Sequence, residues 1–180
     1  MKIGFSILFT LLFAKVCFAQ TDTTTKPLVW DIQPSFNGTI MYLDVPYIGH
    51  ADTIEYLTLN VSKNTGASRP AFISVMMQSP IDQQKGMFLT YSKPAANATH
   101  LEPQQELTTK MEFQDCNSDF CTVRIIDGFA KRGEKKQTAD IFSEFLKYDY
   151  VMFLFFFPDG SHKSVAVPLK SFQQQWKTLK

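Results

Sequence analysis

"YVMFLFFFPDGSHKSVAVPL", residues 150–169, decides how this chain is read. An unbroken apolar run over 150–157 meets Pro158-Asp159-Gly160, and a second apolar segment follows and ends at Pro168. Proline pre-sets φ, aspartate bonds its own backbone and glycine takes positive φ, so the triplet is a turn. Two strand-like runs on either side of it make a hairpin. Because the first run is apolar at every position, it is expected to be buried on both faces, in the middle of a packed structure.

Period-two patterns continue toward the N-terminus. In "EYLTLNVS" (55–62) Leu57, Leu59 and Val61 alternate with Thr58, Asn60 and Ser62, and in "AFISVMMQ" (71–78) Ile73, Val75 and Met77 recur in the same way. Alternation of this kind predicts half-buried strands. "SPIDQQKGMFLTYS" (79–92) reads as a turn ending at Gly86 followed by a strand, and "SKPAANATHLEPQQ" (92–105) as a long polar loop with two prolines. "ELTTKMEF" (106–113) alternates again, and Cys121, Val123 and Ile125 repeat the inward pattern against Thr122 and Arg124. "GFAKRGEKKQ" (128–137) reads as a basic loop.

Two short helices are expected. "TADIFSEFLKY" (138–148) places Ile141, Phe142, Phe145 and Leu146 on one stripe with Thr138 as N-cap. "SFQQQWKTLK" (171–180) has Ser171 and Gln174 at capping-box spacing and puts Phe172, Trp176 and Leu179 on one face. Many short strands with few helices predict a mainly β, antiparallel β-sandwich-like domain, with a short helix before the last hairpin and a C-terminal helix.

The compartment is read from the first twenty residues, "MKIGFSILFTLLFAKVCFAQ". Lys2 precedes an apolar run over 3–14 that falls short of the ~20 residues a membrane span needs, and "CFA" follows, which is the pattern of a secretory signal peptide. Small residues at Cys17 and Ala19 put the cut after Ala19. Cys17 follows Lys15 and Val16 rather than a small residue, so a lipid anchor is rejected. Residues 20–27 read as a flexible polar leader, and 28–180 as a single β domain, expected to be periplasmic or secreted with no transmembrane segment.

Export leaves Cys116 and Cys121 as the only cysteines, in an oxidising compartment, and a disulfide becomes the default. A zinc site needs about four ligands, whereas His50, His100 and His162 are scattered. A thioredoxin-type couple needs two residues between its cysteines at a helix start, whereas four separate these two between strands. The expectation is a hairpin-tip clamp with no metal and no cofactor. Loss of Lys2 and Lys15 reduces the 18 basic residues to 16 against 17 acidic. That near-neutral balance gives no field that would favour nucleic acid.

Candidates for chemistry are few. His50 and Asp52, two apart in a polar turn, read as solvated rather than as an acid/base pair, and no serine stands in a nucleophile-elbow context. Lys131, Arg132, Lys135 and Lys136, with Glu134 among them, read as a solvated loop. Phe153, Phe155, Phe156 and Phe157 read as core, with a ligand pocket or a partner surface as the other uses. Asn37, Asn60 and Asn97 each head an N-x-Ser/Thr sequon, of consequence only where glycosylation machinery acts. No catalytic, cofactor-binding or metal residues are expected.

The order of these parts resembles the invasion-associated locus B family of bacterial exported proteins. The resemblance is carried by Pro80 leading through a turn to Gly86 and an apolar strand, by the strand running into Cys116 and Cys121, by "DIFSEFL" before an apolar strand, and by "VAVPLKSFQQQWKTL" as the closing signature. Trp30 with Ile32 is similar to the family's opening tryptophan strand. Residues 28–180 are covered, most clearly after 70. The family pattern carries the opening strand into a cysteine, where this chain has Pro34. The resemblance implies a periplasmic or secreted β-sandwich-like domain associated with host-cell invasion, with no catalytic residues to carry over and an unidentified envelope or host-surface protein as partner. The other class left open is a periplasmic sandwich that binds a small ligand or lipid.

Overall fold

The computed structural model describes residues 28–49, 52–78, 80–94, 101–132 and 135–179, with side-chain detail outside 93–110 and 127–139. The expected signal peptide and leader lie outside the described residues.

Ten strands are present: β1 (Asp31–Ser35), β2 (Gly38–Ile48), β3 (Ile54–Asn64), β4 (Phe72–Gln78), β5 (Met87–Pro94), β6 (Leu101–Cys116), β7 (Phe120–Arg132), β8 (Lys135–Ala139), β9 (Tyr150–Phe156) and β10 (His162–Pro168). They form one antiparallel path, β1-β2-β3-β4-β7-β6-β5-β9-β10, with β8 paired to β7. The ladder is irregular at Lys110/Met111 and Phe113/Cys116 between β6 and β7, and at Tyr91/Ser92 between β5 and β6. Such irregularities bend a sheet, and they sit where this path folds over into two facing layers. Tyr47 of β2 meets Phe155 of β9 edge-on at 5.6 Å between ring centroids, and β10 returns alongside β2. The mainly β, antiparallel, sandwich-like fold with its C-terminal helix is the one the sequence predicts.

The core follows from the register. Met41, Val61, Ile73 and Ile125 are cross-strand partners in one row, Leu43, Leu59, Val75 and Val123 in the next, and Val45, Leu57, Met77 and Cys121 in a third, and all twelve are buried. The second layer answers with Leu89, Phe153 and Val165, and with Tyr91, Val151 and Val167. Each fully buried large apolar side chain contributes about 1.5–3 kcal/mol through removal of its surface from water.

Two helices close one end. In α1 (Ile141–Phe145) the carboxylate of Asp140 accepts from the Ser143 backbone N–H at 3.2 Å and from the Ser143 hydroxyl at 2.9 Å. α2 (Phe172–Thr178) buries Phe172 and Trp176, which join Trp30, Phe142 and Phe145 in an aromatic cluster with centroid spacings from 4.8 to 6.1 Å. Lys63, buried at the end of β3, donates its ammonium to the carbonyl of Leu179 and lies 5.2 Å from the centre of the Trp176 ring. A cation at a helix C-terminus meets carbonyls that lack an intrahelical partner.

Several local expectations are corrected. Strand pairing extends to Pro94 and resumes at Leu101, so 92–94 and 101–105 of the expected loop over 92–105 are strand. Most of "GFAKRGEKKQ" is strand rather than loop: β7 runs on to Arg132 and pairs with β8, placing Lys131 opposite Lys136 and Arg132 opposite Lys135. Thr138 lies in β8, and the cap of α1 is Asp140, whose two oxygens reach the first turn. Ser171 precedes α2 but makes no side-chain cap bond. β9 is buried on one face only, because Met152, Leu154 and Phe156 stay half-exposed. β1 meets the expected opening strand of Trp30 and Ile32 at Ile32, but its hairpin with β2 lies outside the expected pattern. Its two-residue connection, Phe36-Asn37, ends on Gly38, where a Cβ would collide with the carbonyl oxygen of Lys63 across the ladder.

Candidate functional site

Cys116 and Cys121 are cross-strand partners at the end of the β6–β7 hairpin, with their sulfurs at disulfide distance. The tip between them is set by Asn117, whose side-chain oxygen accepts from the backbone N–H groups of Asp119 at 2.8 Å and Phe120 at 3.0 Å. This is an Asx turn, in which a short polar side chain substitutes for backbone. Cys121 is buried in the core and Cys116 is half-buried against it. The pair is therefore tied to the packing of the hairpin.

The residues that carried possible chemistry are not brought together. His50 and His100 lie outside the described residues. Asp52 is exposed in the β2–β3 turn with φ of 57°. His162 is exposed on β10, its ring 6.0 Å from that of Phe156. Among the described residues, no three His, Cys, Asp or Glu side chains are grouped to hold a metal ion. Of the sequons, Asn37 is exposed at a hairpin tip, Asn60 is half-buried within β3, and Asn97 lies outside the described residues. The side chains of Lys131, Arg132, Lys135 and Lys136 lie outside the described detail.

A polar pair that sequence reasoning missed is Tyr47 and Glu55. The Tyr47 hydroxyl is 2.8 Å from Glu55 Oε2, and Thr53 donates to Oε1 of the same carboxylate at 3.3 Å. Burial, followed by the hydrogen bond to and the charge of Glu55, pushes the phenol far above its ordinary value. It stays protonated and braces the β2–β3 hairpin.

The aromatic run divides between two surfaces. Phe153, Phe155 and Phe157 point into the core and are at most 1% exposed. Phe156 points outward with Met152 and Leu154, where β5 adds Phe88, which is 39% exposed. Phe88 and Phe156 meet edge-on at 6.2 Å, and the Lys85 ammonium lies 5.7 Å from the centre of the Phe156 ring. Asp82 fixes this lysine. Its carboxylate accepts from the backbone N–H groups of Gln84 and Lys85 and lies 3.4 Å from the Lys85 ammonium. Burial works against the charged form of Asp82, but those backbone donors and the ammonium outweigh it and hold the carboxyl below its ordinary value. The result is an apolar strip of Phe88, Met152, Leu154 and Phe156, bordered by Lys85 and His162. Its signal in the sequence was the apolar even-numbered positions of 152–156, which one buried face does not require.

A cavity of about 150 Å³ lies elsewhere, between the β3–β4 loop, the start of β4, the middle of β7 and the start of α1. None of Phe153, Phe155, Phe156 and Phe157 lines it. No helix among the described residues is long and apolar enough to cross a membrane. No family model, no curated protein and no solved structure matches this chain.

Proposed function

We propose that this is an exported, non-enzymatic protein resembling the invasion-associated locus B family, which acts by binding a protein of the envelope or of a host-cell surface. The observation that carries this reading is the outer face of β5, β9 and β10, where Phe88 is exposed and Met152, Leu154 and Phe156 stay half-exposed although the inner face of the same strands is fully packed. Contiguous exposed apolar surface with a polar border marks interaction sites. Lys85 and His162 at its edge call for a partner that offers apolar side chains flanked by carboxylates. Export is supported by the Lys2-led apolar segment and by the cysteine pair at disulfide distance. The reading as a small-ligand or lipid-binding sandwich needs a pocket of about 300 Å³ or more. The 150 Å³ cavity is half that size and is not lined by Phe153, Phe155, Phe156 or Phe157.

The test combines fractionation with comparative capture. The parent protein should appear in the exported fraction with Gln20 as its first residue, and should retain from envelope or host-membrane extracts a component that the Phe88→Ser/Phe156→Ser variant loses at unchanged melting temperature. Retention of residues 1–19 in the cytoplasm would overturn the export reading. An identical captured set from both proteins would overturn the binding face.

A further inference from the structure

We propose that the free edge of β10 is a docking site for an extended, acidic segment of a partner protein, which adds to the sheet as a further strand. The inference rests on the reading of this protein as a binding one and deepens it, but it uses a different part of the surface from the apolar strip. The strand path ends at β1 and at β10. In the β9–β10 ladder the Phe157 and Leu169 backbone N–H groups donate to the carbonyls of Ser161 and Asp149, which fixes the parity. Antiparallel partners alternate between bonded and non-bonded pairs, so Lys163, Val165 and Val167 face β9 with their backbone groups, and His162, Ser164 and Ala166 turn theirs away from it. Three donors and the matching carbonyls therefore stand along this edge with no ladder partner among the described residues. β2 passes in the facing layer, already paired on both sides by β1 and β3, and no backbone bond joins it to β10 among the described residues.

The other end of the path is blunted. Counted from the turn that pairs Ser35 with Gly38, the same alternation turns the backbone of Ile32 and Pro34 outward on β1, and proline has no N–H to offer. β10 keeps its donors as far as Pro168. Its guard is Lys163, which shares the side-chain face of buried Val165 and Val167, stays half-buried and makes no ion pair among the described residues. An inward-pointing lysine on an edge disfavours an apolar or basic strand beside it. A carboxylate directly opposite turns that penalty into a favourable cross-strand pair. The adjoining turns do not supply one, since Asp82 is held by Lys85 and Asp159 accepts from Ser161. A second copy would bring its own Lys163 to the same edge, so charge favours a different, acidic chain.

The experiment titrates the purified protein with the peptide acetyl-TVTVEV-amide, which in antiparallel register sets its glutamate opposite Lys163 and its valine N–H groups toward β10. Binding is followed by NMR and by amide hydrogen exchange. The N–H groups of His162, Ser164 and Ala166 should exchange freely in the unbound protein and slow on saturation, while those of Lys163, Val165 and Val167 are protected throughout. N-methylation of the valines should abolish binding, because main-chain bonds supply the affinity of strand addition, whereas N-methylation of the threonines and the glutamate should spare it. Lys163→Gln should weaken the peptide by about two- to fivefold, the worth of one cross-strand charge pair. Phe88→Ser/Phe156→Ser should bind the peptide as the parent does, which separates this result from capture by the outer face. The proposal is overturned if both methylated peptides bind alike, if folded Lys163→Gln keeps parental affinity, or if only Phe88→Ser/Phe156→Ser abolishes binding. It is also overturned if no saturable binding appears, or if the three amides are already protected in the unbound protein, by a second copy or by another part of the chain.

Discussion

The two layers of the fold turn different outer faces to solvent. On the layer of β2, β3, β4 and β7, two central cross-strand rows outside the core read Asp44, Thr58, Met76, Thr122 and Tyr42, Asn60, Ser74, Arg124, with exposed Tyr56 and Phe72 in the rows beyond them. Thr58 donates to Asp44 at 2.6 Å within the first of them. The layer of β5, β9 and β10 instead presents Phe88, Leu154, Ser164 and Thr90, Met152, Ala166, with Phe156 beside His162. Both layers bury equally apolar inner rows. The inner rows account for folding in each case, so the hydrocarbon left partly exposed at Phe88, Met152, Leu154 and Phe156 is not needed for it, and solvent is an unfavourable neighbour for that surface.

The sharpest way to break this comparison is to cut chemically similar residues from the two faces of one strand. Phe153→Ala, on the inner face of β9, should cost about 3–5 kcal/mol, and most of the folded population if total stability lies near 5. Phe156→Ala on the outer face should cost under about 1 kcal/mol while weakening partner capture. Equal losses in denaturant melts would show that the outer strip is packed too. Removal of residues 170–180, which takes Phe172, Trp176 and Leu179 from the aromatic end, should unfold the protein outright, and a cooperative melt at the parental temperature would exclude the helix from the core.

Smaller effects sharpen the picture of what holds the hairpins. Reduction of the cysteine pair, or Cys116→Ser with Cys121→Ser, should cost about 2 kcal/mol, the chain-entropy value for so short a loop. An unchanged midpoint under reducing conditions would remove the clamp from the account of stability. Asp140 supplies an acid-linked contribution. Burial raises its carboxyl, but the donors Arg69 and Ser143 outweigh this and hold it below the ordinary 3.8. A group depressed in the folded state stabilises above its unfolded value, and that contribution is lost as pH falls through the folded one. Asp140→Asn keeps a capping oxygen without the charge, so its melting temperature should fall less steeply with acid than the parent's. The smallest change expected is Tyr91→Phe. The Tyr91 hydroxyl is buried with no hydrogen-bond partner among the described residues, so its removal should be neutral or stabilising by up to about 1 kcal/mol.

The inner rows were legible in the sequence because alternation reports burial directly: Leu57, Leu59 and Val61, Ile73, Val75 and Met77, and Cys121, Val123 and Ile125 all lie where period two puts them. The closing hairpin was legible through its turn, where Gly160 takes φ of 86°. The pairing partners were not. A polar composition in "GFAKRGEKKQ" gives no sign that Lys131 will face Lys136, since β8 is an outlying strand with little apolar surface to report. The β1–β2 hairpin was obscured by Pro34 and Pro46, which weaken strand propensity without preventing pairing at these positions. Of the candidate surface, Phe156 was visible but its direction was not, because an uninterrupted apolar run carries no parity. The cavity beside Arg69 and Arg124 depends on β4 lying next to β7, an adjacency no local pattern encodes.

That adjacency also bears on how the chain reaches this arrangement. β4 ends at Gln78 and pairs with β7, which begins at Phe120, while β5 leaves β4 to find β9, which begins at Tyr150. Hairpins β2–β3, β6–β7 and β9–β10 close over short stretches of chain, but these two seams each close a loop of dozens of residues and must wait for the local pieces. Proteins dominated by such distant pairings fold in milliseconds to seconds rather than microseconds. Stopped-flow refolding should place this chain in that slow range, with the two seams as the last contacts to gain amide protection.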